Sequence, residues 1–244
     1  MHLDTPALLC TARAHGEHGV VVRLLTETSG LVAAYVNGGR SRASRPLMTP
    51  GNLVSARIDA RSEGQLGQAR LEMDISRAGL TLDPLRLAMA EWLSNLVADI
   101  LPEGEAFPTI YQAMVAMFAL LDSEASATQL GRNLARTELL LLGELGFRLD
   151  LGSCAATGDL DDLIYVSPKS GRAVSAHAGA AYREKLFALP AFLKDGGADA
   201  DSDDIVAALR LTRHFILRDL LPDYRAQKSI AARDRVDARL GKRF

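Results

Sequence analysis

Ala69-Arg70-Leu71-Glu72-Met73-Asp74-Ile75-Ser76 alternates apolar and polar residues over its whole length. That is the period of a strand with one face in a core and the other in water. Val54–Arg61 repeats the pattern, with Val54, Ala56, Ile58 and Ala60 set against Ser55, Arg57, Asp59 and Arg61. Working back toward the N-terminus, Ala7–Ala14, Val20–Thr26 and Leu31–Asn37 are three further extended runs. The breaks are His15-Gly16-Glu17-His18-Gly19, Ser29-Gly30, the longer Gly38–Asn52 segment and Ser62–Gly67. Each contains glycine, the residue that takes up the positive φ of a tight turn without a steric penalty. Five short strands in the first eighty residues predict a small Greek-key barrel of the OB type. An SH3-like barrel gives almost the same pattern.

Working forward, the period changes to that of helices. Asp83-Pro84 is a start signal, an aspartate N-cap followed by proline at the first helical position. Leu85, Met89, Trp92, Leu93, Leu96, Val97 and Ile100 follow at helical spacing, and Pro102 ends the run. A second helix is predicted from Pro108, and a third over Thr128–Leu145 with Gly146 as its C-terminal glycine. The run Leu139-Leu140-Leu141-Leu142 makes the third apolar over most of its girth, so it is expected to be the central helix and these leucines core. A short fourth helix is predicted over Ala178–Ala188. A fifth starts near Ser202, with Asp203 and Asp204 in its first turn, and stops before Pro222. The basic segment after it is either a last helix or a mobile tail. Asp150–His177 is irregular, and Tyr165–Arg172 within it reads as two short strands around a turn.

The chain has 244 residues, 48% of them apolar, with 28 lysines and arginines against 30 aspartates and glutamates. This is an ordinary globular composition, which excludes a disordered or collagen-like chain. No apolar run approaches the length of a membrane-spanning helix. Met1–Pro6 is not a basic segment leading into an apolar one, so no secretory signal is expected. Two cysteines, Cys10 and Cys154, cannot build a disulfide framework, which fits a reducing cytoplasm. The near-zero net charge hides strong local bias. Arg40, Arg42, Arg45, Arg57 and Arg61 face a single acid, Asp59, between Gly38 and Arg61. Arg225, Lys228, Arg233, Arg235, Arg239, Lys242 and Arg243 face two between Tyr224 and Phe244, and five aspartates lie between Asp195 and Asp204. Basic clusters are more often solvated faces than functional ones; as a DNA contact they act through phosphate neutralisation.

Catalytic patterns are missing from the sequence. There is no phosphate loop, no dinucleotide fingerprint, no His-Glu-x-x-His and no Gly-x-Ser-x-Gly elbow. His15, Glu17 and His18 occupy a glycine-flanked turn and read as solvated turn residues rather than metal ligands. Cys10, on a strand, reads as a small buried residue. Cys154 and His177 supply half of a zinc set, whereas a closed structural site needs four ligands.

The order of these elements resembles the RecO family of bacterial recombination mediators. The words that carry the resemblance are Gly16-Glu17, Val36-Asn37-Gly38-Gly39-Arg40, the Leu47–Leu53 segment with Pro50-Gly51, Arg136-Thr137-Glu138-Leu139 with Leu142–Phe147, and Leu163–Pro168 with Gly171. Many relatives carry a four-cysteine zinc site in the insertion. Here Cys154-Ala155-Ala156-Thr157 and Ser175-Ala176-His177-Ala178 stand at its two halves, so one cysteine of four remains. No bound metal or other cofactor is therefore expected.

The resemblance implies an α+β multidomain protein. An N-terminal five-stranded OB-fold barrel (1–80) precedes an α-helical bundle (81–150 and 179–244, with the basic tail). A small degenerate zinc-finger-like insertion (151–178) interrupts the bundle. It also implies a cytoplasmic, nucleoid-associated protein that is not an enzyme. Its role would be to bind single- and double-stranded DNA, anneal strands and, with RecR, help load RecA onto DNA coated by single-strand-binding protein (SSB). RecA is thus an indirect partner, and no membrane is involved. Tyr35, Arg40, Arg42, Arg45, Arg57 and Arg61 are the DNA-binding residues expected on this reading. Arg132 and Arg136, one helical turn apart, are those expected to clamp the acidic C-terminal tail of SSB. The competing use of Arg136 is a structural pair with Glu138 or Glu144. Two other classes compete with the whole reading: a barrel-plus-bundle adaptor that binds only proteins, and a hydrolase or transferase assembled from residues distant in sequence.

Overall fold

The computed structural model describes residues 2–60, 65–196, 198–221 and 227–244. Five strands, β1 (His2–His15), β2 (Gly19–Thr26), β3 (Gly30–Val36), β4 (Leu53–Asp59) and β5 (Gly67–Ile75), close into a barrel in the order β1-β2-β3-β5-β4. Closure depends on the length of β1. Its first half pairs antiparallel with β4, from His2↔Asp59 to Leu8↔Leu53, and its second half with β2, from Ala7↔Thr26 to His15↔Gly19. The β1–β2 register shifts between Leu9 and Thr11, a bulge of the kind that bends a strand round a barrel corner. The alternation rule finds only the second half of β1, because His2, Asp4 and Pro6 read as polar or strand-breaking. Their pairing with β4 is what makes them strand. The parallel contact Ala34↔Gly67, Tyr35↔Gln68, Val36↔Ala69 completes the circuit.

Small aliphatic side chains fill the barrel, including Leu9, Val22, Leu24, Ala34, Val54, Ala56 and Ile58, all fully buried. Gly30 turns β2 into β3 at φ +65, and a Cβ there would run into the Glu105 carbonyl. The turn therefore requires glycine on two counts.

Three helices follow: α1 (Pro84–Ile100), α2 (Pro108–Leu121) and α3 (Ala127–Glu144). The Asp83 carboxylate caps α1, accepting from Leu85 N at 2.8 Å and Arg86 N at 3.4 Å. After α3 come β6 (Leu163–Val166), β7 (Ala173–Ser175), the single turn α4 (Ala176–Gly179), β8 (Phe187–Ala188), α5 (Ser202–Phe215) and α6 (Gln227–Leu240). The helix predicted over Ala178–Ala188 does not form as one piece. Gly179 lies tight against the Tyr165 ring, Ala180–Lys185 is a 3-10 turn, and Phe187–Ala188 pairs with β6 instead.

The chain divides into two compact units, Met1–Glu124 with Tyr224–Lys242, and Ala125–Asp223 with Arg243–Phe244. The first unit joins the barrel to α1, α2 and α6. In the first unit α1 packs against β1, α2 and α6, and Leu85, Met89, Trp92, Leu93, Leu96 and Val97 are all buried. It is α1, rather than α3, that is surrounded. In the second unit α3 packs on α5 with one face; Leu141 and Leu142 are buried while Leu139 and Leu140 are half-exposed. The leucine run is thus half core and half surface.

The basic segment after residue 226 is structural. Arg233 on α6 is fully buried, stacked 5.8 Å from the Trp92 ring centroid and paired with Asp237 one turn on. Ser229 donates to Asp99 at 2.6 Å, and Arg235 pairs with Glu91 at 2.7 Å. Arg233→Ala is expected to lower the stability of the first unit by about 2–4 kcal/mol, because it opens a void beside Trp92 and removes a buried ion-pair partner. Chemical denaturation checks this, and a change under about 0.5 kcal/mol would contradict it.

Candidate nucleic-acid interface

Of the expected DNA-binding residues, Tyr35 and Arg40 both reach the β1–β2 turn. Tyr35 is the only Phe, Tyr or Trp in the first eighty residues, and it points out of the barrel, away from the aliphatic core. It can lie flat there because Gly19 beneath it has no side chain; a Cβ at Gly19 would overlap the ring. Cross-strand register sets its neighbours. Arg13 pairs with Val21, Val21 with Tyr35, Tyr35 with Gln68 and Gln68 with Asp59, so all five share the outer face. His15 meets Tyr35 edge-on, with centroids 6.0 Å apart at 79°. Tyr35, His15, His18, Asn37, Leu66 and Gln68 line an open cleft of ≈ 630 Å³. Arg13, His15, Asn37 and Gln68 were not expected from the sequence. The signal lay in their alternation beside the first turn, but only pairing across strands puts them beside Tyr35.

The arginines of the next loop have different tasks. Arg40 folds back on the β1–β2 turn, donating to the carbonyls of Gly16 and Glu17, each at 3.0 Å. Arg42 and Arg45 are exposed and make no ion pair among the described residues. Their loop has a fixed base. The buried Asn52 side chain donates to Pro46 O at 2.8 Å and Leu47 O at 3.2 Å, and accepts from Arg77 N at 2.8 Å. Ser44 N donates to Ser41 Oγ at 3.2 Å, and Arg45 opens a 3-10 turn over Arg45–Met48.

Arg57 is on the outer face, next to Arg70 across the β4–β5 pair. Its guanidinium binds Asp4 at 2.9 and 3.1 Å. Asp59 pairs with His2 at 2.7 Å, and that hydrogen bond holds its carboxyl below the ordinary range. With Glu72 and Asp74 also exposed on β5, this face carries mixed charge. Arg57 and Arg70 therefore share this face with Asp4, Asp59, Glu72 and Asp74. Arg61 lies outside the described residues.

In the second unit, Arg132 and Arg136 converge on one loop. Both donate to the Gly196 carbonyl, and Arg136 also reaches Phe192 O at 3.3 Å. Their guanidiniums lie 5.8 and 6.0 Å from the Phe192 ring centroid. Burial and the Arg132 charge push Arg136 below its ordinary pKa. Its structural partners are thus backbone carbonyls. Glu138 is buried and accepts from Thr212 on α5. Beside this pair, Leu139, Leu140, Leu149, Leu151 and Leu193 form an apolar groove of ≈ 370 Å³ with Arg148 and Glu144 on it.

The donor set in the insertion does not fit structural zinc. No group of three His, Cys, Asp or Glu suited to a metal occurs among the described residues. Cys154 is buried, with Ser175 N at 3.3 Å and the Ser175 hydroxyl at 3.5 Å from Sγ. Hydrogen bonds from Ser175 and then Thr157 hold this thiol down at about 6, against an ordinary 9.0. Because the folded pKa is depressed, the stabilisation is complete above about pH 9 and is lost as pH falls through about 6. Cys154→Ser is expected to flatten the stability profile between those values. Urea melts of both proteins across the range check it, and parallel profiles would contradict it.

Comparison with known proteins agrees with this architecture. The family profile described as Recombination protein O N terminal matches residues 1–72, and Recombination protein O C terminal matches residues 81–228. A protein of Rhodospirillum centenum named DNA repair protein RecO is 45% identical over 223 residues, covering 90% of this chain and 87% of that protein. Proteins of the same name from Caulobacter vibrioides (43% over 217 residues, 88% of each chain) and Rhizobium etli (38% over 235 residues, 96% of this chain and 90% of that protein) are similar throughout. Matches of this extent, over a five-stranded barrel and the helices after it, mean that the chain belongs to the RecO family of DNA repair proteins.

Proposed function

We propose that the protein is a noncatalytic recombination mediator. On this reading it binds and anneals single-stranded DNA and, with RecR, helps load RecA onto SSB-coated DNA. The observation that carries the reading is Tyr35, outward on the barrel, beside a loop whose Arg42 and Arg45 have no acidic partner among the described residues. A five-stranded barrel of this order is the arrangement OB-type domains use to hold single strands. Such domains combine cations along the backbone with an aromatic under the bases. Annealing asks for charge neutralisation and a loose grip, so it needs no nucleophile or base. Arg40 contributes by bracing the turn, and Arg57 contributes little net charge because Asp4 offsets it. The same loop would serve double-stranded DNA through phosphates alone.

The test is binding to labelled single-stranded DNA across a salt series. Replacing Arg42 and Arg45 together by alanine is expected to reduce the salt slope by about 1.4, at roughly 0.7 per phosphate contact. Arg57→Ala should leave the slope close to wild type. One set of observations favours the protein-only adaptor: Arg57, Arg132 and Arg136 are all engaged within the chain. Wild-type protein without salt-dependent DNA binding would establish that alternative.

For the SSB tail, the support is the pairing of Arg132 and Arg136 with an adjacent apolar groove that would take the aromatic terminus of an acidic peptide. A carboxylate would compete with the Gly196 carbonyl for the two guanidiniums. Arg136→Ala is expected to weaken tail-peptide binding by about 1.5–3 kcal/mol while bare-DNA affinity stays the same. Calorimetric titration with the peptide measures the first and the salt series the second. Unchanged peptide affinity would remove Arg136 from the contact.

A further inference from the structure

The cleft beside Tyr35 differs from a phosphate track. Its rim carries Glu17, whose carboxylate lies 3.9 Å from His18 and would repel a phosphate. Its wall carries Asn37 and Gln68, and neither amide makes a side-chain hydrogen bond among the described residues. Gln68 is the direct cross-strand partner of Tyr35, and Asn37 is two residues along the chain from Tyr35 at the mouth of the same cleft. A carboxamide presents a donor and an acceptor side by side, the pattern that matches the edge of a nucleobase. The aromatic ring lines the cleft and rests on Gly19, where a Cβ would overlap it. Arg42 and Arg45, which have no acidic partner among the described residues, are on the neighbouring loop and outside the cleft lining.

We infer that this cleft is a seat for one unstacked nucleobase, with Tyr35 as platform and the Asn37 and Gln68 amides at its edge, while the phosphates follow Arg42 and Arg45. The inference rests on the single-strand reading above and adds to it a base-dependent contact. A protein that grips only the backbone would have none. Gly19 becomes a positioning residue, since any side chain there displaces the platform.

The experiment compares a thymidine oligonucleotide with a deoxyribose-phosphate strand of the same length that lacks bases. Wild-type protein is expected to prefer the strand with bases by between about fivefold and a hundredfold, the range of one base–aromatic stack. Tyr35→Ala should abolish that preference and leave the affinity for the baseless strand and the salt slope unchanged. Tyr35→Phe should retain it. Gly19→Ala, which keeps the tyrosine but pushes it aside, should abolish it as Tyr35→Ala does. Replacing Asn37 and Gln68 together by alanine should keep the preference for bases but level the affinities for thymidine, cytidine and adenosine oligonucleotides.

Equal binding of both strands by wild type, with a normal salt slope, would overturn the seat while leaving the single-strand reading intact. Binding of neither strand would defeat that reading itself. Loss of baseless-strand affinity in Tyr35→Ala, with the fold preserved by circular dichroism, would make the ring a structural support and also overturn the seat. An unlevelled ranking in the double amide variant would overturn the role of the amides.

Discussion

Strand β1 serves two neighbours. Its fourteen residues pair with β4 along one half and β2 along the other, and the bulge between Leu9 and Thr11 lets one strand change direction between them. Without that double pairing the sheet would have two open edges, and the aliphatic core inside it would face water. The turn at Gly16 that follows β1, the platform at Gly19 and the row from Arg13 to Gln68 all take their positions from its second half. The same strand packs on α1, which in turn holds α6 through Trp92 and Arg233. The basic C-terminal helix is thereby committed to the fold, with Arg233 out of contact with solvent.

The distribution of charge has a simple consequence. Arg57, Arg233 and Arg235 have carboxylate partners, and Arg40, Arg132 and Arg136 bind backbone carbonyls. An arginine held this way contributes less to an outside anion, because the new contact must replace an existing one. Arg42 and Arg45 have no such cost. Counting basic residues along the chain therefore overstates the DNA-binding surface, because several of them are already satisfied within the chain. The insertion follows a related rule. The Cys154 sulfur accepts from Ser175 N at 3.3 Å, a contact made within the insertion itself.

Local pattern was sufficient for much of the architecture. Alternation at Ala69–Ser76 and Val54–Arg61 marked two strands, because a half-buried strand writes its burial directly into every second residue. Asp83-Pro84 marked a helix start, because capping is a contact between near neighbours. Where the decision rested on distant partners, local pattern failed. The first residues of β1 are strand through β4, Phe187–Ala188 is strand through β6, and the leucine run on α3 is half surface because α5 covers only one side.

The functional surface divides in the same way. Read alone, the sequence points to a barrel of small aliphatic strands, with Tyr35 as the lone aromatic of the first eighty residues and basic residues gathered after Asn37. Each of these is a matter of residue type and short spacing. Tertiary packing sets which cations are engaged within the chain, that Tyr35 lies over Gly19, and that Asn37 and Gln68 border it. Those are contacts between strands far apart in sequence, and their geometry is set by barrel closure, which no short stretch of sequence encodes.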